Sequence, residues 1–412
     1  MNILIVSQYY FPEQASIPIG IATELTRRGH SVEVLTGYPN YPSGVIYTGY
    51  KMRWRLREEH GDVAVLRVPL YPNHSQSAAK RILNYASFAI TSSCARVAAE
   101  RADVIYVYAT QMTAAFGPWA WSFAGGAPYV LHVVDLWPDS ISASSLGSSS
   151  RAVRALTATL RPWMTNVYRR AAAVVGVTPS MVEQLRVRGV RAGRLHTVFN
   201  WADEQSVSEI LRRSTNKSIK TRDVTNIVYA GNVGDVQDLE TAVRAMKKLH
   251  GAGVRLTIVG TGVALPRIRE LARQLGCTNI EFKEPVEPHR MAEVYASADY
   301  SLVTLKDKPV FHGTVPSKFQ GSLAHGVPVI TTVQGDARRL VQDLGVGFTS
   351  DAENPDALAQ VFRDAHGLPE SDRRAMAANA TREYWKRFSG EAGLSAIEKI
   401  LLNASDDLKG TS

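Results

Sequence analysis

Short apolar runs alternate with amphipathic segments along the chain. Apolar runs of this length, bounded by polar residues or glycine, are typical of buried strands, and apolar residues at helical spacing predict helices between them. Strands that alternate with helices indicate βαβ units, and therefore parallel sheets covered by helices. The predicted strands are residues 3–7, 32–36, 63–68, 104–108, 129–134, 227–230, 256–260, 280–283, 300–304 and 328–331; helices are predicted at 19–28, 239–249 and 264–275, just before Gly29, Gly251 and Gly276.

The predicted strands fall into two blocks, separated by a polar segment at residues 200–222. Acidic, amide, hydroxyl and lysine side chains replace strand-forming residues there, and the second block opens at Thr225. We therefore predict an α/β protein with a first domain at 1–200, a linker at 201–222 and a second domain at 223–384. Helical spacing resumes at residues 375–402.

The chain has 412 residues, of which 45% are hydrophobic, enough for two α/β cores. The net charge of +9 is uneven: Lys and Arg outnumber Asp and Glu by 20 to 11 in residues 1–200, whereas both number 27 in the rest. A basic first half attracts nucleic acid, anionic lipid or a phosphorylated substrate through the same long-range field. Charge alone does not choose among these partners.

Cysteine usage predicts a reducing compartment. Cys94 and Cys277 lie far apart and neither belongs to a CxxC motif, so the sequence suggests neither a disulfide framework nor a zinc site. The first residues, 1–7, resemble a buried strand more than a signal peptide because they lack a basic leader. We therefore expect a cytoplasmic protein.

Two segments of the first half raise the question of membrane contact. Residues 81–99 are largely apolar, but Asn84 and Arg96 argue against a spanning helix. A core-packed helix and an interfacial helix are both open alternatives. Segment 51–57 (KMRWRLR) interleaves cations with Trp54, which suits either anionic headgroups or a solvated loop.

The segment 314–318 (TVPSK) carries the clearest candidate for anion binding. Pro316 suits the first turn of a helix and Thr314 suits its cap, so the backbone N–H groups of Val315 and Ser317 would point toward a ligand. Lys318 would add a full positive charge beside these donors, which together could hold a diphosphate. The alternative is an ordinary strand–helix unit with an exposed lysine.

Two glycine turns follow neighbouring predicted strands of the second domain. Gly231 and Gly234 flank Asn232 after the first strand, and Gly260 follows the next strand. Glycine lets the backbone approach a ligand at the carboxyl end of a parallel sheet, where such sheets bind nucleotides. The pattern favours donor phosphates beside Gly231 and Asn232, although two tight turns without a ligand would give the same sequence.

The first domain offers a candidate sugar site after the strand at 129–134. Asp135 can accept hydrogen bonds from sugar hydroxyls and Trp137 can stack on a sugar face, although Asp135 could also be a helix cap. His132 lies in the middle of the strand, which favours a core histidine over an acceptor-binding one. We keep His132 and Glu13 with Asp135 and Trp137 as candidate acceptor-binding residues.

Several common catalytic patterns are missing from the sequence. It contains no Asp-x-Asp, no histidine cluster with metal-ligand spacing, no serine elbow and no Walker lysine loop. We therefore expect neither a metal nor a cofactor.

Six motifs occur in order along nearly the whole chain: 9–13 (YYFPE), 24–42 (ELTRRGHSVEVLTGYPNYP), 135–139 (DLWPD), 198–203 (VFNWAD), 229–234 (YAGNVG) and 314–318 (TVPSK). Together they resemble family-4 retaining glycosyltransferases of the GT-B fold, in the subgroup similar to bacterial N-acetylfucosaminyl and colanic-acid polysaccharide transferases. The resemblance implies two Rossmann-like domains facing a central cleft, with the donor nucleotide on the second domain and the acceptor on the first. It also implies metal-independent activity and a final helix, at about 385–404, that returns to the first domain.

The sequence departs from the family pattern at three places. Gly313 and Gly321 stand where the family has two glutamates, of which the later one holds the ribose. The region 235–238 lacks the cations that many members place after the first glycine turn, which leaves Lys318 as the remaining cation. Val134 stands where a His or Gln is usual.

These observations predict a retaining hexosyltransferase that uses a UDP-sugar and a saccharide or lipid-linked acceptor in bacterial glycan synthesis. Lys318 would stabilise the leaving diphosphate and Asp135 would lie near the acceptor hydroxyl. We expect no nucleic-acid partner, while peripheral contact with the inner face of the cell membrane and the oligomeric state stay open. The alternatives are a nucleotide-sugar epimerase of similar fold and a non-catalytic sugar-nucleotide-binding protein.

Overall fold

The computed structural model describes residues 1–74, 77–137, 151–204, 207 and 223–409. The chain divides into two compact units: unit 1 comprises Met1–Phe199 with Gly393–Ser412, and unit 2 comprises Asn200–Ala392. Most of the predicted linker at 201–222 lies outside the described residues.

Unit 1 is built on a sheet of eight described strands in the order β3-β4-β2-β1-β5-β6-β7-β8. Its pairings are parallel except for β3 with β4, which forms an antiparallel edge. One face packs its apolar side chains, such as Val107 and Leu131, against Phe88 and Val167 of the covering helices. The strands are β1 (Asn2–Val6), β2 (Ser31–Gly37), β3 (Leu56–His60), β4 (Val63–Val68), β5 (Val104–Ala109), β6 (Tyr129–Val133), β7 (Ala173–Gly176) and β8 (Leu195–Thr197).

The described helices that precede the second sheet are α1 (Ser16–Arg27), α2 (Ala78–Ser93), α3 (Arg96–Ala99), α4 (Phe116–Trp121), α5 (Arg151–Arg170) and α6 (Pro179–Val187). The apolar stretch 81–99 forms α2 and α3 rather than one long helix. In the part of the chain that the structure describes, every helix is too short or too polar to cross a bilayer.

Unit 2 is built on six described parallel strands in the order β11-β10-β9-β12-β13-β14. Its core packs Ile227 and Leu256 against Val243, Ile268 and Phe362. The strands are β9 (Thr225–Ala230), β10 (Val254–Val259), β11 (Ile280–Lys283), β12 (Tyr300–Val303), β13 (Val329–Thr331) and β14 (Gly347–Thr349); the helices are α7 (Leu239–Lys247), α8 (Leu265–Gln274), α9 (Met291–Ala296), α10 (Ser317–Ala324), α11 (Asp336–Leu344), α12 (Pro355–Gly367) and α13 (Glu370–Glu383).

The last helix, α14 (Gly390–Lys409), begins in unit 2 and continues as part of unit 1. Glu398 holds it there, because its carboxylate accepts a hydrogen bond from Arg28 at 2.7 Å and lies 2.8 Å from His30 Nε2. The predicted fold class, two Rossmann-like domains with a final helix that crosses back, is confirmed.

Candidate functional site

The two glycine turns of unit 2 lie side by side at the carboxyl edge of its sheet. The Gly231 N–H donates to the Val259 carbonyl at 2.9 Å, and the Val233 N–H donates to Thr261 at 2.8 Å. A Cβ at Gly260 (φ +145°) would lie 2.0 Å from the Gly231 carbonyl oxygen. Glycine at position 260 is therefore required by the contact between the two turns, with or without a ligand.

The first turn continues into a compact loop before α7. Gln237 closes this loop, since its side-chain oxygen accepts the Gly234 N–H at 3.0 Å. Asn232 is exposed beside it. Arg267 of α8 brings a cation to this region, but it is paired with Asp235 at 3.1 Å and also with Glu240.

Lys318 of α10 reaches the first glycine turn. Its Nζ lies 5.0 Å from the ring centroid of Tyr229, a cation–π contact. A Cβ at Gly231 would lie 2.9 Å from both Cε and Nζ of Lys318, so the absence of a side chain there lets the lysine approach. Desolvation lowers the pKa of the Lys318 ammonium.

No ion pair to Lys318 occurs among the residues that the structure describes. A partly desolvated cation without a carboxylate partner gains free energy from an anion placed beside it. Lys318 and the Gly231 turn therefore form the candidate donor-phosphate site.

Helix α10 begins two residues later than the sequence suggested, since its N-cap is residue 316 and not 314. Pro316 is its N-cap, with extended backbone, and no side chain caps the helix. The expected cap, Thr314, instead lies in the preceding turn, where its N–H donates to Phe311 at 3.0 Å. Phe319 is the first residue of the helix whose N–H bonds back, to Pro316 at 2.8 Å, which leaves the amides of Ser317 and Lys318 at the uncapped end.

The glycine at position 321 has a local structural explanation. A Cβ there would lie 2.8 Å from the hydroxyl oxygen of Tyr295, which comes from α9. The Tyr295 ring fills the space beside α10 and stacks on His325 with 4.6 Å between ring centroids. Gly313, at the other departure from the family pattern, lies in the loop that leads into α10.

The loop before α10 carries polar residues that the sequence analysis did not single out. His312 Nε2 lies 2.6 Å from Asp307 Oδ1, and the His312 carbonyl accepts the Asp336 N–H at 2.8 Å. The Lys306 N–H donates to Val236 at 2.9 Å, which ties this loop to the glycine turn. The charged composition of residues 306–312, directly after a predicted strand, was the available signal.

In unit 1, Asp135 follows β6 at the carboxyl edge of the sheet. Its side chain is exposed, yet the surrounding protein is dense enough that desolvation raises the pKa of its carboxyl group. Burial is the main cause of the raised pKa values of Tyr85 and Tyr108, and the Asp135 charge adds to the increase.

Trp137 does not present an open face for sugar stacking. It is 8% exposed and packs edge-on against Tyr85, with ring centroids 5.6 Å apart. Its carbonyl accepts a hydrogen bond from Arg188. Tyr85 is itself half-buried.

His132 occupies the core position that its place in the strand favoured. It is fully buried, its Nδ1 pairs with the Tyr106 hydroxyl, and burial lowers its pKa to about 3. The imidazole is therefore neutral and faces other side chains of the sheet. A direct contact with an acceptor stays a prediction.

Glu13 organises two loops at the carboxyl edge. It is 2% exposed, and its carboxylate accepts backbone N–H groups from Tyr10 at 3.2 Å and from Asn40 and Tyr41 at 2.8 Å each. Burial raises the pKa of Glu13, and these bonds oppose the shift. Glu13 thus holds two loops in place, and its direct contact with an acceptor stays a prediction.

A buried amide network lies beneath these loops and was not expected from sequence. Gln8 donates to Asn84 at 2.6 Å, Gln111 donates to Gln8, and Asn84 donates to the Tyr71 carbonyl at 2.7 Å. The network joins the ends of β1 and β5 to α2. Single glutamines after strands give no pattern that marks such a network in advance.

Two Rossmann-like units, each with polar side chains at the carboxyl edge of its sheet, are typical of the GT-B fold. Residues 20–201 match the family described as Glycosyl transferase 4-like domain, and residues 224–366 match Glycosyl transferases group 1. The chain therefore belongs to the GT-B glycosyltransferases, with a 4-like first domain and a group 1 second domain.

Known proteins are similar along the full chain. A protein of Escherichia coli (strain K12) named for colanic acid biosynthesis, the glycosyl transferase WcaI, is 28% identical over 100% of both chains. Sucrose-phosphate synthase from Thermosynechococcus elongatus has a similar fold, with a TM-score of 0.71, 15% identity and 100% coverage of both chains. Anabaena HepE, solved with UDP and glucose, has a TM-score of 0.62, 15% identity and coverage of 98% of this chain and 100% of its own.

Proposed function

We propose that this glycosyltransferase moves a hexose from UDP to a saccharide or lipid-linked acceptor in bacterial polysaccharide biosynthesis. The similarity to a relative named for colanic acid biosynthesis supports the pathway class, and the fold shared with a UDP-bound structure supports the donor. The observation that carries the proposal is Lys318, a cation held beside the Gly231 turn at the uncapped end of α10.

In this proposal the donor diphosphate lies against Gly231, Asn232 and Gly234, with Gly260 behind them. The backbone N–H groups of Val315, Ser317 and Lys318 and the Lys318 ammonium face its β-phosphate. Breaking the sugar–phosphate bond leaves its electron pair on the phosphate, so negative charge grows where the cation stands. Stabilisation of that charge is the main catalytic effect we assign to unit 2.

The reaction we propose retains the anomeric configuration. The acceptor oxygen bonds to the anomeric carbon on the face from which UDP leaves, and the acceptor proton passes to a phosphate oxygen. Asp135 accepts a hydrogen bond from the acceptor hydroxyl and orients it. This step needs no protein nucleophile.

We also propose that neither a divalent metal nor a cofactor takes part. Lys318 and the helix amides supply the positive potential that the leaving diphosphate requires. Among the described residues, no three His, Cys, Asp or Glu side chains are grouped as metal ligands would be. Activity should survive EDTA treatment unchanged, whereas loss on chelation and recovery with Mg²⁺ would contradict this part.

The donor and the outcome are tested with the full chain and a panel of nucleotide sugars. UDP and its sugars should raise the melting temperature, since they bind the folded state. NMR of the product should show the anomeric configuration of the donor. Donor conversion without any acceptor would indicate an epimerase, and binding without turnover a non-catalytic protein; either result would contradict the proposal.

Contact with an anionic membrane is proposed for a surface of unit 1 formed by residues 51–55 and the outer face of α2. The two segments adjoin, because Arg55 donates to the Cys94 carbonyl at 2.7 Å. Trp54 is 59% exposed, and Leu83 and Ile90 are exposed at 51% and 60% on α2. Apolar side chains among cations suit the headgroup region of a bilayer.

This contact predicts sedimentation with liposomes that contain phosphatidylglycerol. Replacing Arg53 and Trp54 with Ala should reduce the bound fraction several-fold, since both charge and interfacial burial are lost. Val187→Ser, which changes an apolar residue of unit 1 that is 73% exposed elsewhere, is the control. Equal sedimentation of all three proteins would show that this surface does not bind membranes.

A further inference from the structure

A second polar recess lies at the first turn of α2 in unit 1. Arg81 Nη2 and His74 Nε2 are both buried without a hydrogen-bond partner. A buried guanidinium nitrogen without an acceptor costs free energy, and such atoms in native structures usually meet a ligand, ion or water. Both side chains are half-buried as a whole, so the recess also reaches solvent.

Aromatic rings form the wall of this recess. Tyr9, Tyr41 and His74 pack together, with ring centroids 5.5 Å apart for Tyr9–Tyr41, 5.8 Å for Tyr9–His74 and 5.1 Å for Tyr41–His74. Tyr41 is 45% exposed and forms the rim. The wall therefore combines hydroxyl and imidazole donors with apolar ring faces.

Arg81 brings a positive charge to this recess. No carboxylate pairs with Arg81 among the described residues, and the first turn of α2 contains no acidic side chain. Burial, followed by the Arg81 charge, lowers the pKa of His74, so its ring is a neutral donor at pH 7. An anion is the ligand that this set of donors fits.

Tyr85 connects this recess to Asp135. Burial is the main cause of the raised pKa of Tyr85. The Arg81 charge lowers this pKa and the Asp135 charge raises it. Arg81 and Asp135 therefore both lie near the Tyr85 side chain. A sugar on the Tyr85 ring could place a hydroxyl at Asp135 and an anionic substituent at Arg81.

We propose that Arg81 and His74 form a phosphate-binding subsite, which holds the phosphate on the anomeric carbon of the acceptor sugar. This inference rests on the proposed transferase function and narrows its acceptor to a glycosyl phosphate or diphosphate. The next residues of α2, Ile82 and Leu83, are exposed at 39% and 51%. A lipid attached to the phosphate would meet these apolar side chains directly outside the subsite.

Binding of three probes to the full chain tests the subsite by calorimetry: farnesyl diphosphate, inorganic pyrophosphate and farnesol. Farnesyl diphosphate should bind, and Arg81→Ala should weaken it by about tenfold or more, the effect of one charge-assisted contact. Lys80→Ala, which removes an exposed cation at the neighbouring position, should leave the affinity within twofold. Binding of pyrophosphate as tight as that of farnesyl diphosphate would identify a free phosphate as the ligand; tighter binding of the lipid form would identify a headgroup.

Two results would overturn the subsite. One is unchanged affinity of Arg81→Ala for farnesyl diphosphate, and the other is farnesol binding as tightly as the diphosphate. Arg81→Gln, which keeps the aliphatic stem, replaces the alanine variant if that variant does not fold. The rise in melting temperature with UDP, measured in the same samples, separates the two proposals. If UDP stabilises every variant but replacing Arg81 does not change the affinity for farnesyl diphosphate, the subsite alone is wrong.

Discussion

At the scale of single residues, the two groups assigned to the reaction are both partly desolvated. Burial lowers the pKa of Lys318 and raises that of Asp135, so in each case the protein disfavours the charged form. A ligand that neutralises either charge regains that free energy. Such shifts cluster at functional sites, and here they coincide with the carboxyl edges of the two sheets.

Asp135 predicts a pH profile. Its carboxylate must be ionised to orient the acceptor hydroxyl, so activity should fall as the pH decreases through its raised pKa, above the ordinary aspartate range of about 4. Asp135→Asn should lower kcat/KM by about tenfold to a hundredfold at pH 7 and abolish this acidic limb. Rates are measured between pH 4.5 and 8 on both proteins. If the variant lost activity at low pH in the same way as wild type, the titrating group would be a residue other than Asp135.

The places of the candidate residues along the fold were easier to predict from sequence than the orientation of their side chains. Asp135 could be selected from its position after a strand, because the carboxyl edge of a parallel sheet is fixed by the βα order, and Lys318 from the predicted start of a helix. The burial of Trp137 and the loop-holding bonds of Glu13 depend on packing across the unit. A single sequence gives no local signal for either.

At the scale of elements, the packing of α9 on α10 explains one departure from the family pattern. Gly321→Ala should destabilise unit 2 by about 1 kcal/mol, because the added Cβ meets the Tyr295 hydroxyl and outweighs the gain in helix propensity. In a Tyr295→Phe background the same change should be neutral or stabilising by up to about 1 kcal/mol. Urea unfolding of the four proteins measures the coupling.

The outcome that would contradict this explanation is additivity. If Gly321→Ala has the same effect with Tyr and with Phe at position 295, the hydroxyl does not determine the residue at 321. Position 321 would then have to be explained by something other than contact with α9.

The strands that the sequence predicted are those with continuous apolar runs, and all ten occur in the two sheets. The missed strands lack that signal. β3 is a polar edge strand (LREEH), while β8 and β14 have three residues each, and β7 (AVVG) follows an alanine run that also suits a helix end. Pairing with a neighbouring strand, rather than local composition, makes these segments extended.

At the scale of the whole molecule, the Glu398 carboxylate links the last helix to Arg28 and His30 of unit 1. The hydrogen bond from His30 is the largest cause of the lowered pKa of Glu398, and the hydrogen bond from Arg28 adds to it. A lowered pKa in the folded state means that this stabilisation is present above the unfolded value of about 4.3 and is lost as the pH falls through the folded one. Glu398→Gln should therefore lower the melting temperature at pH 7 by about 1–3 °C, and this difference should shrink as the pH falls below the ordinary glutamate pKa of about 4.3.

Hydrogen exchange of α14 gives the local readout, since the variant should open this helix more often than wild type. Glu100→Gln, which removes an exposed pair with Arg96, is the matched control and should change neither quantity. A loss that is equal at pH 7 and pH 3 would show that the Glu398 charge does not hold the helix.

The most direct test of the account is the turnover of Lys318→Ala with a UDP-sugar and acceptor. Because Lys318 is the cation at the glycine turn, kcat/KM should fall by about a hundredfold, which corresponds to about 3 kcal/mol of transition-state stabilisation. Lys283→Ala, which removes an exposed cation at the end of β11, should stay within a few-fold of wild type. If a folded Lys318→Ala protein turned over within a few-fold of wild type, the donor site would not be where we place it.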